Sequence, residues 1–112
     1  MDRISNDPVW VQYGNEQYAR FEVLSIDSNM PPGSGIYVLS HRVKRNGRYV
    51  HYFKASGKGN DLSLHVIDEN VYSRAIKDEA NCLLTITVQD TREMDEIFEA
   101  LGRLLSRSIP EG

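Results

Sequence analysis

Gly35-Ile36-Tyr37-Val38-Leu39 leads, across Asn46-Gly47, into Arg48-Tyr49-Val50-His51-Tyr52-Phe53. β-Branched and aromatic residues fill both stretches, a composition that suits pleated, half-buried backbone. Asn-Gly is the favoured pair for a two-residue type I′ hairpin, because both central residues of that turn need a positive φ. Such a turn sets Arg45 opposite Arg48, Val43 opposite Val50 and His41 opposite Tyr52. On this register Tyr37, Leu39, His41 and Val43 share a face with Val50 and Tyr52. Ile36, Val38, Tyr49 and Phe53 take the other. Apolar residues on both faces predict a hairpin covered from both sides. The facing Arg45 and Arg48 repel mildly, which leaves a longer tip loop as the alternative.

Upstream, Val9–Tyr13 reads as a short strand and Gly14-Asn15 as a turn. Tyr18–Ile26 is a returning strand in which Phe21 and Val23 alternate with Arg20 and Glu22. Met30-Pro31-Pro32-Gly33-Ser34-Gly35 interrupts regular structure, since proline donates no ladder hydrogen bond. Downstream, Ala55–Asn60 reads as an exposed loop. Residues 68–80 read as a helix with Asp68 at its start and an apolar stripe of Val71, Tyr72, Ala75, Ile76 and Ala80.

Cys82–Gln89 is a third core strand. Asp90-Thr91-Arg92-Glu93 has the spacing of a reciprocal capping box. From there Met94, Ile97, Phe98, Leu101, Leu104 and Leu105 mark one face of a helix running to about Ser106, and Pro110 to Gly112 form a frayed tail. The expected fold is α/β in the α+β sense: a small mixed or antiparallel sheet with a central hairpin and two packed helices.

The chain has 112 residues, enough for one domain with its own core over 1–112. Its 40% apolar content, with six Tyr, three Phe and one Trp, excludes a disordered chain. Cys82 is the single cysteine, so no internal disulfide forms; within Cys82-Leu83-Leu84 it reads as a buried structural thiol. No apolar run approaches the ~18 residues of a membrane span, and Met1-Asp2-Arg3 opens no signal-peptide core. A cytoplasmic setting without membrane attachment is the expectation.

The net charge of -3 conceals a division along the chain. Residues 28–60 hold Arg42, Lys44, Arg45, Arg48, Lys54 and Lys58 and no acid, whereas both flanking segments carry more acids than bases. This block predicts a local basic surface, with Arg42, Arg45, Arg48, Lys54 and Lys58 as its binding residues. The same cations also serve to blunt a hairpin edge against pairing with other chains.

Gly35-Ile36-Tyr37 and Arg48-Tyr49-Val50-His51, followed by helix, strand and helix, resemble the GIY-YIG nuclease domain over residues 33–107. Residues 1–32 are then an N-terminal extension or extra hairpin. The resemblance implies metal-dependent DNA hydrolysis, with Tyr37 and Tyr49 in the active centre and Glu99 as the catalytic, metal-binding carboxylate for magnesium or manganese. Glu96 is a poorer match for that carboxylate. The chain departs from the family where its chemistry sits. His51 stands in place of the second-motif glycine, and no arginine precedes Arg74 on the first helix, although His65 falls near its expected companion. A lysine such as Lys54 or Lys58 lacks the planar fork of the missing arginine.

His41, His51 and His65 do not form a recognised metal spacing, since His41 and His51 point to opposite faces of the hairpin. Gly57-Lys58-Gly59 lacks the length and Lys-Ser/Thr ending of a phosphate loop. No Ser/His/Asp or Cys/His catalytic pattern stands out in the sequence. The leading expectation is therefore a small noncatalytic interaction or regulatory module without cofactor, binding an acidic protein surface or a second copy of itself. The alternatives are a divergent DNA endonuclease and a nucleic-acid-binding module that does not cleave.

Overall fold

A computed structural model describes residues 7–105 and 107–112. The chain is an α+β domain in which one strongly curved antiparallel sheet is packed by two helices. Strands β1 (Val9–Tyr13), β2 (Gln17–Ser25), β3 (Gly35–Arg45), β4 (Arg48–Gly59), β5 (Cys82–Thr87) and β6 (Ser108–Pro110) lie in the order β1-β2-β5-β3-β4-β6. Helix α1 (Glu69–Lys77) precedes β5, and α2 (Thr91–Leu104) follows it.

The hairpin has the register expected from its turn. Arg45 faces Arg48, Val43 faces Val50 and His41 faces Tyr52, and Asn46 and Gly47 both have positive φ, at 51° and 78°. The strands then continue beyond the expected end. Residues 55–59, expected as a loop, complete β4 opposite Gly35–Leu39. Glycine here serves close packing: a Cβ at Gly57 would collide with the Tyr37 ring. A Cβ at Gly35 would likewise strike the Ile86 carbonyl and the Leu62 side chain.

Leu39 pairs with Ala55 but Ser40 pairs with Phe53, so Lys54 is the extra residue of a β-bulge. A bulge exchanges the faces of the residues beyond it and increases local twist. The long hairpin can thereby bend around a core.

That core lies on the concave face. Val9, Val11, Phe21, Ile36, Val38, Phe53 and Leu84 project into it, and Met94, Ile97, Ala100 and Leu101 of α2 fill it. The alternation Val9-x-Val11-x-Tyr13 and Ala19-x-Phe21-x-Val23 follows the two-residue period of the strand. The N-terminal hairpin is thus built into the sheet through β2 and β5. A second cluster on the convex face packs Tyr37, Leu39 and Leu83 beneath Leu62, Ala75 and Ala80.

The helix starts follow the sequence, with one difference. The Asp68 side chain accepts from the Asn70 and Val71 amides, and that of Asp90 from the Arg92 and Glu93 amides. The capping box at α2 is not reciprocal: Glu93 instead accepts from the Tyr13 hydroxyl at 3.0 Å, tying α2 to β1. On its other flank Lys58 of β4 bonds Asp95 at 2.6 Å. α2 therefore spans the gap between the first strand and the end of β4. The expected helix end at Ser106 and the Met1-Asp2-Arg3 opening lie outside the described residues.

The frayed tail is a second correction. Ile109 pairs with His51, the Glu111 amide donates to the Tyr49 carbonyl at 3.0 Å, and the Gly112 amide donates to the Pro8 carbonyl at 3.0 Å. Val9 and Glu111 also form a bridge, bringing the two ends of the sheet together as a near-barrel.

Phe98, one of the residues expected on the apolar face of α2, packs against this core but is only partly buried, with Lys58 Nζ 5.3 Å from its ring centroid. Ile97 is the fully buried neighbour. Ile97→Ala should therefore destabilise the domain by about 2–5 kcal/mol, through lost apolar transfer and an unfilled cavity. Phe98→Ala should cost less. Urea unfolding of both variants measures the order, and an equal or reversed ranking rejects this placement of the core.

Candidate functional site

Tyr37, Tyr49 and Glu99 do not converge. Tyr37 faces Gly57 and Tyr49 faces Lys44, which puts the two rings on opposite faces and towards opposite ends of the hairpin. At ~3.3 Å per residue, the seven-position separation along β3 is roughly 23 Å. Tyr37 lies under the 3-10 turn (Leu62–Leu64), its ring 5.1 Å from that of His65. Burial, and secondarily the Asp68 charge, raise its phenol pKa, so it stays protonated and is a poor base. Glu99 is exposed on α2 and accepts from Arg103 Nη1 at 3.3 Å. No cluster of three or more potential metal-binding side chains occurs among the described residues. His41 and His51 lie on opposite faces, and His65 lies beside Tyr37.

The basic block is split by the fold. Arg42, expected as an exposed binding residue, is turned inward, its side chain 9% exposed. Lys58 is occupied by Asp95. Lys44, Arg45, Arg48 and Lys54 are exposed, and none of them makes an ion pair among the described residues. Lys44 Nζ lies 5.6 Å from the Tyr49 ring centroid, and the Arg45 guanidinium 5.5 Å from that of Tyr52. These rings support the long side chains while leaving their charged ends accessible.

The inward-facing polar residues form a connected group that the sequence did not reveal. Glu111 accepts from Arg42 Nη2 at 3.0 Å and lies 2.8 Å from His51 Nε2. Arg42 Nε is 2.9 Å from the same carboxylate without hydrogen-bond alignment, and the guanidinium stacks 3.6 Å above the Tyr49 ring. His51 Nδ1 lies 2.9 Å from Ser40 Oγ. A carboxylate already held by arginine only accepts, so neutral His51 donates from Nε2 and receives the Ser40 hydroxyl proton at Nδ1.

This order of hydroxyl, imidazole and carboxylate matches a nucleophilic relay in composition, but not in access. Ser40 and His51 are both 0% exposed, and β6 with the residues after it covers them. Cys82, paired with Ser40 across the sheet, is buried too; burial pushes its thiol pKa up and keeps it inert. The group is an internal clasp. Its signal in the sequence is faint, because the hairpin register sets Arg42 opposite His51 but nothing local marks Glu111, sixty residues beyond His51, as their partner.

Comparison with protein-family models, curated protein sequences and solved structures finds no match to this chain.

Two outcomes follow from the clasp. Glu111→Ala should cost about 3–5 kcal/mol by stranding the buried Arg42 charge, measurable by chemical denaturation. A loss below about 1 kcal/mol would show that Arg42 escapes to water. Burial, opposed by the Glu111 hydrogen bond and charge, holds the His51 pKa below the usual histidine value of 6.5. The unfolded chain then takes up a proton more readily than the native one. This contribution to stability is fully present above about pH 6.5 and is lost as the pH falls from there through the native value. His51→Gln should flatten that part of the stability–pH profile, and an unchanged slope assigns it to another group.

Proposed function

We propose that this protein is a noncatalytic interaction module whose β3–β4 hairpin tip binds an acidic protein surface. The observation that carries this reading is the group of accessible cations Lys44, Arg45 and Arg48 at the tip, with accessible Lys54 further back at the bulge, on a chain segment with no acid. Their partner has to come from outside that segment. Val43 and Val50, a cross-strand pair beside Arg45 and Arg48, are half-buried and supply an apolar contact at the base of the charges. Rim charges of this kind accelerate encounter and orient the partner more than they deepen affinity.

The separation of Tyr37, Tyr49 and Glu99 supports the noncatalytic reading over metal-dependent DNA cleavage. Phosphodiester hydrolysis needs the nucleophile activator and the charge-stabilising groups around one phosphorus. The acids flanking the basic block favour an acidic protein over long nucleic acid, whose phosphates those acids repel. Among the described residues, no helix is long and apolar enough to cross a membrane.

Fluorescence anisotropy with an oligo-glutamate peptide and with DNA oligonucleotides, each at low and high salt, tests the reading. The peptide should bind at low salt and dissociate as salt screens the contact. The double variant Arg45→Glu/Arg48→Glu should weaken binding roughly tenfold or more while keeping its fold, because both side chains are exposed. Preferential binding of DNA assigns the tip to nucleic acid instead. Magnesium- or manganese-dependent cutting that disappears in a folded Glu99→Ala variant assigns an endonuclease.

A further inference from the structure

At the other end of the hairpin the surface has the opposite character. The 3-10 turn is held there by the Leu62 amide donating to the Gly33 carbonyl at 2.9 Å, with Leu62 against Gly35 and His65 over Tyr37. A groove of about 350 Å³ runs between the Ile26–Met30 loop and the Leu62–Tyr72 segment. Val66 in its lining is 86% exposed, and Leu64, between the lining residues Ser63 and His65, is 78% exposed. Asp27, Asp61, Asp68 and Glu69 flank them, and neither lining segment contains a lysine or arginine. Three of these acids already have local tasks: Asp27 accepts from Ser25, Asp61 caps the 3-10 turn, and Asp68 caps α1. Those bonds satisfy individual lone pairs and leave the negative charge in place.

The groove is lined by Leu83, which pairs with Leu39 of β3, six positions short of Arg45 at the tip, or roughly 20 Å at ~3.3 Å per residue. The β3–β4 ladder runs without a break from Ser40 to Arg45 and holds the tip beyond that level, so one molecule cannot bring its own tip to its own groove.

We infer that the groove is a docking site for a second copy of this chain, entered by the basic hairpin tip of that copy. The inference rests on the tip being a binding surface, and it names the acidic partner. Complementarity is twofold. Lys44, Arg45 and Arg48 meet the acids of the rim, and the half-buried Val43–Val50 pair meets Leu64 and Val66. Removing such apolar surface from water adds an attraction that salt does not screen. The contact joins two different patches, so it is heterologous: it extends into chains of molecules or closes as a ring, depending on the rotation between copies.

Complementary variants test this geometry with the full chain. Sedimentation velocity of the unmodified protein at rising concentration and low salt should show the average mass climbing above 12.8 kDa, towards and past twice that value. Added salt should reverse the rise. Arg45→Glu/Arg48→Glu disables the tip, and Leu64→Lys/Val66→Lys disables the groove. All four side chains are exposed, and circular dichroism confirms that each variant is folded. Each variant alone should stay monomeric.

Mixed in equal amounts, the two variants should form a dimer and no larger species, because the mixture holds one intact tip and one intact groove. Association of the unmodified protein with a mixture that stays monomeric overturns the tip-to-groove contact. Monomeric behaviour of the unmodified protein at every concentration also overturns it. If the tip variant still loses the oligo-glutamate peptide in that case, the binding role of the tip survives and only its partner is wrong.

Discussion

The contact between Arg42 and Glu111 joins parts of the sheet that are distant in sequence. Curving six strands around α2 brings β1 and β6 together, but only a short segment is available to close the seam. Backbone bonds from Glu111 to Tyr49 and from Gly112 to Pro8 supply the closure. They place one carboxylate among side chains that have lost their water. A buried carboxylate needs a paired charge and satisfied lone pairs. Arg42 provides the charge, His51 a second donor, and Ser40 completes the imidazole. Such a pair is weak evidence for net stability, since an apolar replacement of equal shape often serves as well. Its physical effect is selective: a tail in another register leaves Arg42 unpaired inside the barrel.

The same group sets a hydroxyl, an imidazole and a carboxylate in line where solvent does not reach the hydroxyl or the imidazole. A nucleophile needs a path for substrate and donors where the oxyanion will form. Ser40 has no open path, because the strand pairing that aligns it also encloses it. The proton that matters here is the one His51 accepts in acid. It places a second positive charge beside Arg42 with a single carboxylate to balance both. Proximity among polar residues thus acts on fold and pH response, while the accessible chemistry lies outside the barrel.

What could be read in the sequence was local. Asn46-Gly47 dictated a positive-φ turn, and from it the pairing of residues 41–52 followed. Asp68 and Asp90 each announced a helix because a short carboxylate can reach amides two and three residues ahead. The bulge at Lys54 was hidden, since an extra residue shows in a ladder only against its partner strand. That slip also decided which side chains of residues 55–59 face inward, and so disguised a strand as a glycine-rich loop. The tail was hidden for the same reason. Glu111 beside Pro110 has no local feature that marks it as the partner of Arg42, sixty-nine residues away.

Charge was legible as segments and only partly legible as surface. The basic segment 28–60 survives folding as a basic pole, but Arg42 is withdrawn to neutralise Glu111 and Lys58 to hold α2. Of the remaining cations, Lys44, Arg45 and Arg48 gather at the Asn46-Gly47 end, whereas Lys54 stands at the bulge midway along the hairpin. The 3-10 turn and the start of α1 place acids at the other end, where the chain leaves β4. A hairpin longer than its covering helix therefore separates the charges along one axis. It leaves Lys44, Arg45 and Arg48 on one side, and Asp61, Asp68 and Glu69 on the other, without an ion-pair partner among the described residues.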